Sequence, residues 1–305
     1  MQNHNTVERV HAMKKLLLMI NPAAGRQTGK SSAYEIIDRC DAAGYDVEVH
    51  PTRSFERTRS LIKERGEEFS AVFCCGGDGT LNQVVSGLME LDNPPPLGYI
   101  PAGSTNDFAS TLGIPREPAA ACERALSGAP QGFDVGRFNS RYFTYVAAFG
   151  AFTEVSYQTS QALKNVLGHA AYILEGLRRV TEIRPQHVRI SYDGGIAEGD
   201  YIFGAVSNST TVAGLLRINE EKVSLSDGQF EVMLIKNPHD VAQLNGVVQN
   251  LLSQQYDDRY VSFFHTRRAI IDTDEGMTWT LDGEDGGMQT HVEIENLHCA
   301  VQLLR

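Results

Sequence analysis

Cysteine is scarce: five residues in a chain of 305, Cys40, Cys74, Cys75, Cys122 and Cys299, an odd number with no Cys-x-x-Cys spacing. Neither a disulfide framework nor a zinc site is indicated, and reduced cytosol fits best. Positive charge is also short, with 27 Lys and Arg against 38 Asp and Glu and a formal net charge of -11. General nucleic-acid binding is driven by counterion release, which needs a surplus of basic side chains, so no nucleic-acid partner is expected. Long apolar runs are missing too. Behind Lys14 and Lys15, the stretch Leu16 to Ile20 is only five residues long, too short for a signal-peptide core or a membrane span. The expectation is a protein neither secreted nor transmembrane. There is no Gly-x-Ser-x-Gly elbow and no His-Glu-x-x-His helix, and the nine histidines are scattered without ligand spacing, which argues against hydrolase and zinc chemistry.

What remains has the balance of a globular chain, 42% hydrophobic and 21% charged. A length of 305 residues exceeds the usual single core, so two domains are expected. Residues 1–13 read as a loose N-terminal extension, with Met13 an alternative start. From 14 to 134, β-type runs (Lys15 to Ile20, Tyr45 to His50, Ala71 to Cys75, Leu97 to Ile100) alternate with helical spacing over Ser31 to Ala43, Ser54 to Arg65 and Thr80 to Leu91. That alternation predicts an α/β domain with a Rossmann-like parallel sheet, helices on its faces and ligands at the carboxyl ends of the strands. Over 135–289 the β-like segments lengthen: Tyr142 to Phe149, His187 to Tyr192, Tyr201 to Val206, Phe230 to Ile235, Tyr260 to Asp272 and Met277 to Leu281. They predict an antiparallel β-sandwich domain. A helix with the apolar stripe Ala170, Ile173, Leu174, Leu177 and Val180 is expected to interrupt it and cover the sheet.

The strongest local signal is Gly76-Gly77-Asp78-Gly79-Thr80-Leu81-Asn82, which follows a strand and opens a helix. Glycines there let backbone N–H groups approach a phosphate, and the helix start adds about half a positive charge. A tight turn requiring φ > 0 would explain the glycines but not Asp78 held among them. Pro101-Ala102-Gly103-Ser104-Thr105-Asn106-Asp107-Phe108-Ala109 follows the next strand and adds a hydroxyl, an amide and a carboxylate beside the first loop. Alone it reads as turn and cap residues. The first strand ends in Asn21-Pro22-Ala23-Ala24-Gly25, and Ala24 to Ser31 nearly spells a Walker A loop. A P-loop enzyme also needs a strand ending in a magnesium-holding Asp, whereas the candidate strand ends in Cys74 and Cys75. Asn21 to Gly25 is therefore read as a nucleotide loop of another kind.

Taken in order, these three loops resemble the diacylglycerol kinase catalytic family, of the soluble bacterial lipid kinase type. That type is also similar to sphingosine and ceramide kinases and, more distantly, to NAD kinases. The likeness runs from Lys14 over nearly the whole chain, through Leu163-Lys164, Gly168-His169-Ala170-Ala171-Tyr172, Ser226-Asp227-Gly228-Gln229-Phe230-Glu231-Val232 and Leu281-Asp282-Gly283-Glu284. It implies a kinase that moves the terminal phosphate of ATP, with Mg²⁺, onto a lipid hydroxyl in a cleft between the domains, and a last strand, 290–305, that returns to complete the first domain. By the same resemblance ATP is contacted by Asn21, Pro22, Ala23, Ala24, Gly25, Thr52, Gly76, Gly77, Asp78, Gly79, Thr80, Leu81, Asn82 and Ser104. Asp78, Asp107 and Asp134 form a carboxylate network that orders water and magnesium, and Glu284 is the general base. A second, structural magnesium is held around Asp227 by carbonyls of Ser224 and Gln229. Plain alternatives stand beside two of these assignments: an Asp-Gly hairpin for Asp227 and an exposed turn for Asp282-Gly283-Glu284.

The implied partner is a membrane lipid: diacylglycerol first, then phosphatidylglycerol, a sphingoid base or another lipid alcohol. Peripheral association with the inner face of the membrane and a homodimer also follow from the resemblance. Three departures qualify it. Ser104 stands where relatives often have Thr, Gln83 where many have Glu, and Ala213-Gly214-Leu215 where many have a glycine-rich stretch, which leaves the lipid entrance less defined than the phosphate site. The rival readings are an NAD kinase acting on a soluble nucleotide, against which Asn106 to Ala109 argues, and a silent nucleotide-binding regulator, against which Asp78, Asp107 and Glu284 argue.

Overall fold

In the computed structural model, residues 13–22, 29–103, 106–150, 184–212, 216–218 and 223–305 are described. Unbroken buried runs on β1 (Lys14–Ile20), β3 (Ala71–Gly76) and β4 (Leu97–Pro101) mark strands covered on both faces. They pair in parallel in the order β2-β1-β3-β4, with the half-exposed β2 (Tyr45–Pro51) at the edge. The crossovers are helical: α1 (Gly29–Ala42), α2 (Phe55–Arg65) and α3 (Asp78–Leu88). Ser54 starts α2 by accepting the Arg57 N–H on its hydroxyl. α2 and α3 pack so closely that a Cβ on Gly87 would stand 2.8 Å from Ile62 Cβ.

Two long predicted strands are broken, each by a carboxylate. Tyr142 to Phe149 becomes β6 (Arg141–Phe143) and β7 (Val146–Gly150), because Thr144 and Tyr145 give their N–H groups to Asp282 at 2.6 and 2.9 Å. Tyr260 to Asp272 becomes β13 (Val261–Thr266) and the start of β14 (Arg268–Leu281), because the Arg267 N–H turns to Asp193 at 2.7 Å.

β14 and β9 (Gly195–Ser207) each serve two layers. β9 pairs with β8 (Gln186–Tyr192) over 195–201 and with β7 over 203–207, while β14 pairs with β8 over 269–273 and with β7 over 279–281. The four strands thus close around a core in which Trp279 is fully buried, edge-on to Phe138 and Phe149 at 5.1 and 5.0 Å. Such pairs are worth about 0.5–1.5 kcal/mol each beyond the area they bury. β12 (Phe230–Lys236) joins β9 to β13 and extends this sheet.

The last strand connects the halves. β15 (Glu284–Leu304) pairs with β14 over 284–295 and with β5 (Pro130–Phe138) over 294–304, and Leu303 lies parallel beside Leu97 of β4. Three helices were not read from the sequence: the short α4 (Asp107–Thr111), α5 (Pro118–Ser127) and α6 (Val241–Ser253). Asp240 caps α6 by accepting the Gln243 N–H at 2.8 Å, and Val247, Val248 and Leu251 are its buried stripe. The helix expected over 170–180 lies outside the described residues.

Candidate active site

None of Gly76, Gly77 and Gly79 has a positive φ, so the glycine loop is not a strained turn. Its glycines are demanded by close approach. A Cβ on Gly76 would meet Thr80 Cβ at 2.5 Å, one on Gly103 would meet Gly77 Cα at 2.5 Å, and one on Gly79 would stand 3.0 Å from Glu284 Oε1. The two loops therefore lie backbone against backbone, stitched by the Ala102 N–H to the Gly76 carbonyl at 2.8 Å. Asn106 holds the second loop in shape from the left-handed region, φ 53°, which Asn tolerates. Its Oδ1 accepts the Gly103 N–H at 2.9 Å and its Nδ2 donates to the Gly103 carbonyl at 2.8 Å.

Asp78 opens α3 and reaches across to the start of α4, where Oδ2 accepts the Asp107 N–H at 3.0 Å and Oδ1 the Phe108 N–H at 3.4 Å. Burial pushes its carboxyl up to about 6; the Asp107 and Asp282 charges add to this, and the two N–H donors oppose it. On the other side, Asn21 Nδ2 donates to Thr80 Oγ1 at 3.0 Å and the Thr52 N–H donates to the Ile20 carbonyl at 2.8 Å. Asn21, Thr52, Thr80, Asp78 and Gly103 thus gather at the carboxyl ends of β1, β2, β3 and β4. Leu81 is fully buried, and Asn82 donates inward to the Tyr142 carbonyl at 3.0 Å and Asp282 at 2.7 Å.

Asp282 is the residue that sequence reasoning did not single out. It is 4% exposed, sits at φ 51°, and accepts from Asn82 Nδ2, from Thr144 N and Oγ1, and from the Tyr145 and Val146 N–H groups, all within 3.0 Å. Burial pushes its carboxyl up, and those donors pull it back. Asn82 is one helical turn beyond Gly79, on the same face of α3. Asp282 therefore pins the β14–β15 hairpin to α3, and the next turn delivers the exposed Glu284 carboxylate to the glycine loop. The available signal was the doublet Asp282-Gly283, which reads equally as any exposed turn.

Asp134, the third carboxylate of the expected network, has its own set of partners. Asp134 is fully buried on β5, where its oxygens accept the Gly228 N–H at 2.7 Å and the Cys299 N–H at 2.8 Å and meet His298 Nδ1 at 3.1 Å. Nearby, Asp227 Oδ1 accepts the Gln229 N–H at 2.9 Å across Gly228, φ 76°. Next to this turn Glu231 is fully buried, with His265 Nε2 3.9 Å from its Oε1. Burial pushes it up to about 9; the Glu231 and Ser224 backbone N–H groups oppose this, and the Asp227 and Asp134 charges add to it. A buried carboxyl beside an exposed Asp offers oxygen donors of the kind a hard cation such as Mg²⁺ takes.

A family model for the diacylglycerol kinase catalytic domain matches residues 15–138, and one for the YegS C-terminal NAD kinase beta sandwich-like domain matches residues 146–304. A diacylglycerol kinase of Bacillus subtilis (strain 168) is 34% identical over 278 residues, 90% of this chain and 91% of that one. The chain belongs to the diacylglycerol kinase family. A diacylglycerol kinase of Staphylococcus aureus (strain Newman) is 29% identical over 292 residues, 92% of each chain. A solved structure of a diacylglycerol kinase from Bacillus anthracis str. Sterne shares the fold, with a TM-score of 0.74 at 21% identity over 96% of this chain and 97% of that one.

In this diacylglycerol kinase family chain, Asn21, Thr52, Gly76 to Thr80, Asp107 and Glu284 surround one set of strand ends, and Pro22 is exposed beside them. Ala23, Ala24, Gly25 and Ser104 lie outside the described residues, as do the family segments 163–172 and 213–215. Sequence reasoning missed the seam of buried polar residues Ser207, Asn208 and Ser209, which follows directly on the strand expected to end at Val206. Asn208 Nδ2 donates to the Asp134 carbonyl at 3.1 Å, and Ser209 meets Thr111 of α4 at 2.9 Å.

Proposed function

We propose that this lipid kinase transfers the terminal phosphate of ATP to the hydroxyl of diacylglycerol, with Glu284 as general base. The observation that carries the reading is the approach of Glu284 to Gly79, which sets a carboxylate from the β14–β15 hairpin against a glycine-lined helix start. Such a start favours phosphate through its N–H groups and dipole. Asn21, Thr52 and Gly76 to Thr80, with Ala23, Ala24, Gly25 and Ser104 from the adjoining loops, hold the nucleotide. Asp78 and Asp107 orient the phosphate chain and its water, and Glu284 takes the proton from the lipid hydroxyl as its oxygen attacks the terminal phosphorus, whose bond to the bridging oxygen breaks to release ADP. Magnesium, when bound, neutralises phosphate charge and favours in-line displacement. Around Asp227, the carbonyls of Ser224 and Gln229 would hold a second magnesium, with the Glu231 carboxylate beside it.

On this reading the nucleotide-binding domain is 14–134 with 290–305, the lipid-substrate domain is 135–289, and the substrates meet in the cleft between them. No helix among the described residues is long and apolar enough to cross a membrane, and the lipid is reached by peripheral docking at the inner face.

The test is ATP-dependent phosphorylation of a lipid panel in mixed micelles, with Asp78→Ala as the blank. Diacylglycerol is expected to be phosphorylated fastest, with the variant at background. Labelled phosphate in NADP, with none in the lipid extract, would reverse the assignment.

A further inference from the structure

We propose that Asp134, His298 and Cys299 form a binding site for a thiophilic divalent cation of the zinc class. β15 runs in register with β5 up to Leu297 opposite Val135 and resumes with Val301 opposite Phe133, so His298, Cys299 and Ala300 all stand opposite Asp134. The bulge puts Cys299 at φ 49° and turns its side chain and that of His298 towards the carboxylate. An imidazole nitrogen, a thiol sulfur and a carboxylate oxygen then lie within 4.8 Å of one another, the one grouping of three such side chains found among the described residues. His298 and Cys299 are adjacent in sequence and show no ligand spacing; only the pairing of β15 with β5 brings Asp134 to them.

The donor set decides the class of ion. Mg²⁺ takes oxygen ligands, whereas sulfur and imidazole nitrogen with one carboxylate suit zinc and its neighbours. Donors around a tetrahedral zinc stand roughly 3.5 Å apart, so the side chains need to draw in by about 1 Å. The His298 side chain, 58% exposed, has room to do so and leaves one side open for a water or a further ligand. Asp134 is already oriented from behind by the Gly228 and Cys299 N–H groups at 2.7 and 2.8 Å, the outer support that metal-binding carboxylates need. The other four cysteines are buried, so Cys299 is the thiol an incoming ion can reach. The competing account is a hydrogen-bonded Asp134–His298 pair that closes the bulge, with Cys299 a bystander.

The experiment is a Co²⁺ titration of the full chain, reduced, in excess Mg²⁺ so that oxygen-only sites are filled, followed by its absorption spectrum. The wild type is expected to develop a sulfur-to-cobalt charge-transfer band at one equivalent, and one equivalent of Zn²⁺ is expected to erase it. Cys299→Ser should abolish the band, and His298→Ala should weaken Co²⁺ binding about tenfold or more, with circular dichroism melts showing that both variants are folded. A wild type without the band, or a band that persists in Cys299→Ser, would overturn the proposal whatever the variants' stability.

Discussion

Asp78 keeps its carboxylate where water is scarce, and this has a cost that can be measured. Burial holds the Asp78 carboxyl at about 6, above the ordinary 3.8, so the folded state favours the protonated form and stability falls as pH rises from about 4 to 6. Asp78→Asn removes the charge. The variant is expected to melt above the wild type at pH 7 and to converge with it below pH 4, while losing phosphotransfer. The comparison is a series of thermal melts across pH; a wild type more stable than the variant at pH 7 would show that the Asp107 and Phe108 N–H groups outweigh burial. A stable protein with a poor site and a less stable one with a good site is the trade that buried catalytic charges impose.

At the scale of elements, the β14–β15 hairpin reaches the glycine loop only because Asp282 is bonded to Asn82 and to the β6–β7 corner. Asp282→Ala strands several buried N–H groups, so a loss of roughly 3 kcal/mol or more is expected in chemical denaturation. In whatever fraction remains folded, kcat should fall by about 10²-fold, since Glu284 loses its support. An unchanged kcat in Asp282→Ala would mean that the hairpin holds its place by other means. This network was not legible in the sequence. Composition and periodicity located the buried strands β1, β3 and β4 within one or two residues, because both faces are apolar and the runs are continuous. The motifs located the three loops. What they missed were long-range partners: the residues that break Tyr142 to Phe149 and Tyr260 to Asp272 are Asp282 and Asp193, more than 70 positions away in the chain. The partners of Asp134, Gly228, His298 and Cys299, were hidden for the same reason, since they come from remote segments. The helix α6 had its local signal in Asp240 and the Val247, Val248 and Leu251 stripe, and was hidden by β-like neighbours on either side.

For the molecule as a whole, β15 is shared. Its first half completes the sheet around Trp279, and its second half runs beside β5 and reaches β4. Neither part can lose this strand and keep its core, so calorimetry should show a single unfolding transition; two well-separated transitions would contradict the shared strand. The same continuity places the acid at the head of β15 against the glycines at the head of α3. The most direct measurement is kcat for lipid phosphorylation by Glu284→Gln, with nucleotide affinity measured in parallel. A fall of about 10² to 10⁴-fold at unchanged ATP affinity is predicted; turnover within a few-fold of the wild type would contradict Glu284 as the base.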